Sequence, residues 1–144
     1  MNQEEQILMH CLYFTGSRFA RTITKLAEQA FIESDLAPSY LYLMMLVKFQ
    51  PGITQKELCH KLSIAPSTST RFIDKLEKQK LVTRKVDGKQ TMIYLTDAGE
   101  EMYIQFRASL KELFDRYATI LGKEESLALS KTLHEASNKL ERDL

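Results

Sequence analysis

Glycine is scarce in this 144-residue chain, with five residues and no cluster of them. A phosphate-cradling loop needs glycines close together so that backbone amides can approach the anion, and no such loop is present. Cysteine is scarcer still: Cys11 and Cys59 form neither a CxxC pair nor a disulfide framework. His10, His60 and His134 are scattered, and although Cys59 and His60 are adjacent, neighbours on a helix point about 100° apart and chelate poorly. No metal and no cofactor is expected. No Cys/His or Ser/His/Asp order suggests a nucleophile, so the chain is not expected to be an enzyme. No stretch approaches the roughly 18 apolar residues of a membrane span. Residues 1–6 are polar and acidic, with no basic segment ahead of an apolar run, so a cytoplasmic location is expected. Internal repeats and low-complexity tracts are also missing.

What is present is a lopsided distribution of charge. The formal net charge is only +1, yet residues 48–91 hold ten Lys or Arg against four acids, a net of +6 that leaves −5 for the rest. A basic middle third between neutral-to-acidic flanks suggests a polyanion-binding centre.

Periodicity divides the chain into elements. Ile7, Cys11, Leu12, Phe19, Ile23, Leu26, Ala30 and Phe31 recur at three- and four-residue steps, which predicts one long helix over 4–32. Glu33-Ser34-Asp35 reads as a break, and Pro38 opens an apolar helix over 38–49 that reads as central and buried. After the Pro51-Gly52 turn, Thr54-Gln55-Lys56-Glu57 has the spacing of a capping box, starting a short helix over 54–62 with Leu58 and Leu62 inward. Ser63-Ile64-Ala65 connects it to a helix opened by Pro66, running to about 79 and burying Phe72, Ile73 and Leu76. The period then becomes two: Val82, Arg84 and Val86 alternate with Thr83 and Lys85, and a second strand runs from Thr91 to Leu95. Asp87-Gly88-Lys89-Gln90 between them predicts a hairpin turn. Thr96-Asp97 caps a helix over 97–120, and Gly122 separates it from a last helix over 123–142.

The fold class expected is mainly α with a small β-hairpin wing: a winged helix-turn-helix core flanked by N- and C-terminal dimerisation helices. The divisions are 1–37, 38–96 for the DNA-binding lobe, and 97–144. The outer helices are amphipathic, and burying their apolar stripes calls for packing against a second copy.

Two short helices joined by three residues, with a basic ribbon directly after them, are a winged helix-turn-helix candidate. The second helix starts Pro66-Ser67-Thr68-Ser69-Thr70-Arg71. A row of small hydroxyl residues is poor helix material but fits the groove-entering end of a recognition helix. Arg71 can fork to a guanine or to phosphate, and Lys75 lies one turn further along. Thr54, Gln55 and Lys56 at the start of the preceding helix complete the expected surface. In the ribbon, Lys89 is placed to reach a minor groove or its phosphates. Arg84 either supports the wing or touches the backbone, and Lys85 reads as edge-strand protection. The alternative is a winged-helix protein-interaction module without DNA binding.

The runs Gln55-Lys56-Glu57-Leu58, Leu62-Ser63-Ile64, Ser67 to Arg71, Asp74 to Val82 and Tyr94-Leu95-Thr96-Asp97-Ala98-Gly99 together resemble the core of a MarR-family repressor. The resemblance covers the chain in length and element order and is specific from about Thr54 to Gly99. It implies a triangular homodimer that binds a pseudopalindromic double-stranded DNA operator and is released by a small, often aromatic, anion or by an oxidant. Family wings usually read Asp-x-Arg, whereas this one reads Asp87-Gly88-Lys89, which shifts specificity towards Ser67 to Arg71. The resemblance also implies an effector cleft between the dimerisation helices and the DNA-binding lobe. The residues set against it are Tyr13, Ser17, Arg18, Tyr40, Met44 and Met45, with Arg18 pairing a carboxylate; core packing is the other reading of the same residues. Cys11 is the candidate for thiol-based redox sensing.

Overall fold

The computed structural model describes residues 1–34 and 36–144. The elements are α1 (Gln3–His10), α2 (Leu12–Ala30), α3 (Ser39–Phe49), β1 (Ile53–Thr54), α4 (Gln55–Leu62), α5 (Pro66–Lys78), β2 (Val82–Asp87), β3 (Gln90–Leu95), α6 (Asp97–Leu121) and α7 (Lys123–Arg142). This is a mainly helical winged helix-turn-helix fold with a small antiparallel sheet. No helix among the described residues is long and apolar enough to cross a membrane.

The single helix expected over 4–32 is two helices. A capping box opens α1, with the Glu5 amide donating to Asn2 Oδ1 and the Asn2 amide to Glu5 Oε2. The break falls at Cys11, whose backbone is extended (φ −88°, ψ 109°) and whose amide donates to the Leu8 carbonyl. The His10 ring donates from Nδ1 to the Gln6 carbonyl, 2.7 Å away, and the Thr15 hydroxyl donates to the Cys11 carbonyl. No α1 side chain is buried, so no tertiary packing holds the two segments in line. Apolar periodicity cannot detect a joint across which the apolar stripe continues. Of the expected break at 33–35, Asp35 lies outside the described residues.

α3 is the central helix. Leu41, Leu43, Met44 and Val47 are buried along it and meet Ile53, Leu58, Ile73, Leu76, Val82 and Ile93 of the winged lobe. Phe31 and Phe106, with ring centroids 5.6 Å apart, extend the same core between α2 and α6. Each such side chain contributes about 1.5–3 kcal/mol of burial.

The sheet order is β1-β3-β2, so the expected two-stranded ribbon has a third strand. β1 pairs Ile53 with Ile93 and Thr54 with Met92. Two residues are too few to carry an alternation, which is why the sequence pattern missed it. In the hairpin, Asp87 pairs with Gln90, leaving Gly88-Lys89 as the turn. Gly88 has φ +62° and occupies the first central position, as in a II′ turn. At the base of the wing, the Thr96 amide donates to the Leu81 carbonyl and the Thr96 hydroxyl to the Lys80 carbonyl. The Thr96 hydroxyl also accepts from the Gly99 amide as the N-cap of α6. A Cβ at Gly99 would lie 2.1 Å from the Leu81 carbonyl oxygen, so this glycine is what lets α6 close on the wing.

Apolar surface is left open at both ends of the chain. Ile7, Leu12 and Tyr13 are exposed near the N-terminus, and Ile120, Leu127 and Leu140 on the C-terminal helices.

Candidate nucleic-acid interface

Thr54 is the N-cap of α4, its hydroxyl accepting from the Glu57 amide at 3.2 Å. The expected capping box is only half formed. Instead of reaching back to the Thr54 amide, the Glu57 carboxylate accepts from Gln50 Nε2 at 2.9 Å. Its other oxygen accepts from the Thr54 hydroxyl at 3.5 Å. α4 ends with Ser63 in the left-handed region (φ 52°, ψ 46°), the Ile64 amide donating to Cys59 O and the Ser63 amide to His60 O. Those paired bonds form a Schellman motif and set the sharp connection to α5.

Pro66 is the first residue of α5, and no side chain caps the first amides. Ser67, Thr70, Arg71 and Lys75 are exposed, and Thr68 is half-buried. Ser69 departs from expectation. It is 0% exposed, faces the core, and its hydroxyl has no hydrogen-bond partner. It is therefore removed from the groove-facing set, because the helical rotation that exposes Ser67 and Arg71 turns position 69 inward.

The polar groups of this face are organised. Gln55 Nε2 donates to the Thr70 hydroxyl at 2.7 Å, and that hydroxyl donates to the Pro66 carbonyl at 3.0 Å. Arg84 on β2 donates to Asp74 Oδ1 at 2.5 Å and to Glu77 Oε1 at 3.0 Å. Of the two expectations for Arg84, the ion pairs favour support of the wing. Lys75 lies over the Tyr40 ring, 5.5 Å from its centroid, and Tyr40 stacks on Phe72 at 4.5 Å. Lys56, Lys85 and Lys89 are exposed, and among the described residues neither Arg71, Lys56 nor Lys89 enters an ion pair. Those three cations are free to meet an anion. Val86, which shares the alternation of Val82 along β2, is 70% exposed where Val82 is buried.

The six residues set against an effector cleft are not brought together. Tyr40 and Met44 are core side chains and Met45 packs against that core, while Tyr13 is 85% exposed, Arg18 is exposed and Ser17 is half-buried. A cavity of about 350 Å³ lies elsewhere, between α2, α3, α6 and α7, and none of the six lines it. Its walls include Phe19, Ile23, Tyr42, Phe114, Tyr117 and Leu133, with no charged side chain. Burial, and then the nearby Tyr42, raise the pKa of the Tyr117 phenol above the ordinary tyrosine value. Sequence reading missed this site because its walls come from four helices far apart in the chain, each showing only an apolar stripe. Cys11 is half-buried at the α1–α2 joint, and Cys59 is half-buried on α4.

Residues 36–88 match the model of the MarR family. Over 128 residues the chain is 27% identical to YybA, an HTH-type transcriptional regulator of Bacillus subtilis, covering 86% of this chain and 85% of that protein. The fold matches the transcriptional repressor CouR bound to a 23-mer DNA duplex, with a TM-score of 0.84 at 21% identity over 90% of this chain and 94% of that one. A CouR from Rhodococcus jostii RHA1 bound to p-coumaroyl-CoA matches with a TM-score of 0.78 at 20% identity, over 90% of this chain and 93% of that one. The S. aureus MepR–DNA complex matches with a TM-score of 0.78 at 20% identity, over 90% of this chain and 98% of that one.

Proposed function

We propose that the chain is a DNA-binding transcription regulator of the MarR family, whose model matches residues 36–88, and that it is a repressor that binds a pseudopalindromic operator as a homodimer. The observation that carries this reading is the N-terminal face of α5. There Ser67 and Arg71 stand exposed on a helix whose first amides have no side-chain cap, and the wing is held beside it by Arg84. Free amides and an unpaired guanidinium suit phosphate and guanine edges. Lys89 at the wing tip and Lys56 at the start of α4 supply phosphate contacts on either side. The open apolar stripes of α1, α2, α6 and α7 supply the surface that a second copy covers.

The effector site of this reading is the cavity between α2, α3, α6 and α7. Its walls offer two phenols and aromatic rings and no charged side chain, so they suit an aromatic ring and give a carboxylate no partner. The effector is therefore an uncharged aromatic compound rather than the anion that Arg18 was set to meet. Tyr42 lies in the cavity wall, and Tyr40, two residues earlier on α3, stacks on Phe72 of α5. One helix thus separates the effector from the DNA-reading face.

The test is selection from random duplexes at two salt concentrations. A pseudopalindrome with half-sites about 10 base pairs apart is the expected result, and salt-sensitive binding without a motif would refute sequence-specific repression. With the operator in hand, Arg71→Ala is expected to cost about 1–3 kcal/mol and to relax sequence preference. Lys89→Ala is expected to weaken all sequences about equally and to flatten the salt dependence by about one phosphate. Unchanged selectivity in Arg71→Ala would remove Arg71 from the reading set.

A further inference from the structure

We propose that Thr70 and Gln55, which lie in the stretch that faces DNA, do not read bases. They form a clasp that fixes the recognition helix against α4 and the wing, leaving Ser67, Thr68 and Arg71 to read. This rests on the DNA-binding reading above. A threonine hydroxyl has one proton, and that of Thr70 is committed to the Pro66 carbonyl at 3.0 Å. One of its lone pairs accepts from Gln55 Nε2 at 2.7 Å. The hydroxyl therefore cannot donate to a base without giving up its bond to the Pro66 carbonyl.

The Thr70 carbonyl lies 3.5 Å from Arg84 Nη2, the nitrogen that also donates to Asp74. Nη1 of the same guanidinium holds Glu77. α4, α5 and β2 thus converge on Thr70: Gln55 through its side-chain amide, Pro66 through its carbonyl, and Arg84 through its guanidinium on the Thr70 carbonyl. Ser67, one turn before Arg71, carries no such bond, and neither do Thr68 and Arg71 among the described residues. Free and tethered hydroxyls divide within four consecutive positions because helical rotation points 70, but not 67 or 68, at the α4 N-terminus.

The experiment compares Thr70→Val, Thr70→Ser, Gln55→Ala and the double variant Gln55→Ala/Thr70→Val in the full chain, on the selected operator and on a scrambled duplex over a salt series. Val keeps the shape and methyl of Thr but lacks the hydroxyl, whereas Ser keeps the hydroxyl and lacks the methyl. Thr70→Val and Gln55→Ala are each expected to lower operator affinity by about three- to tenfold, the effect of one ordinary hydrogen bond, with the salt slope unchanged. The double variant is expected to bind no more weakly than either single one, and Thr70→Ser to bind as the parent does. Additive losses or a flattened salt slope would overturn the clasp and make Thr70 a base or phosphate contact, and loss in Thr70→Ser with retention in Thr70→Val would overturn it by tracing the effect to the methyl group. Thermal unfolding of each variant separates these effects from misfolding. If the parent chain selects no motif at all, the operator reading fails first and the clasp falls with it, a result distinct from a motif that the variants read equally well.

Discussion

Ser69 shows how much a single side chain can mislead. In the sequence it is one of four adjacent hydroxyls. In the fold it is the one with no access to solvent and no partner. A buried donor left unbonded is destabilising, so Ser69→Ala is expected to raise stability by about 1 kcal/mol and leave operator binding unchanged. Thermal unfolding and a binding titration check both, and a lowered midpoint would show that the hydroxyl is bonded. Tyr117 supports a second prediction. Its folded-state pKa lies above the ordinary value of 10.0 because partial burial, and then the nearby Tyr42, disfavour the phenolate. The folded protein then holds that proton more tightly than the unfolded chain does. The contribution is fully present below the unfolded value and is lost as pH rises from about 10 through the folded value. Tyr117→Phe is expected to flatten the alkaline fall in stability, measured as denaturant midpoint against pH. An identical fall in parent and variant would assign the loss to other groups.

Among the elements, the two helices of the DNA-binding pair end alike. Each closes with a Schellman motif whose left-handed residue is not glycine: Ser63 after α4, and Lys80 (φ 63°) after α5. At the second, the Leu81 amide donates to Leu76 O and the Lys80 amide to Glu77 O. A residue with a Cβ is strained there, so Lys80→Gly is expected to stabilise the fold by up to about 1 kcal/mol. A lower unfolding midpoint would show that the lysine side chain contributes more than its backbone strain removes. Most element boundaries were legible because they carry local chemistry: Pro66 at a first turn, Thr96 as a cap, Gly122 between α6 and α7. The α1–α2 joint was not, since neither proline nor glycine marks Cys11. β1 was not, since its two residues form a strand only because β3 lies beside them.

For the whole molecule, the open apolar stripes set the expected assembly. Leu140 is 61% exposed on α7, and Leu127 on the same helix is 64% exposed. Leu140→Glu is expected to shift sedimentation from dimer to monomer and to weaken operator binding, because two half-sites then bind independently. A dimer of unchanged stability would move the interface away from the end of α7. The charge asymmetry acts on the same scale. The +6 segment between residues 48 and 91 falls in the winged lobe, and the net acidic flanks fall on the N- and C-terminal segments that hold the long helices.

The sequence alone determined the order of elements apart from the α1–α2 joint and β1, the placement of the helix-turn-helix and wing, and the likeness to the MarR family. All of these follow from short-range periodicity, capping and turn chemistry, which act over a few residues. The tertiary structure decided what depends on how elements are rotated against one another. It turned Ser69 inward, tied Thr70 to Gln55 and gave Arg84 to Asp74 and Glu77. It also placed Tyr40 and Met44 in the core and assembled an uncharged cavity around Tyr42 and Tyr117. A hydroxyl or a tyrosine has the same local pattern whether it faces core, cavity or DNA, and only packing chooses among them.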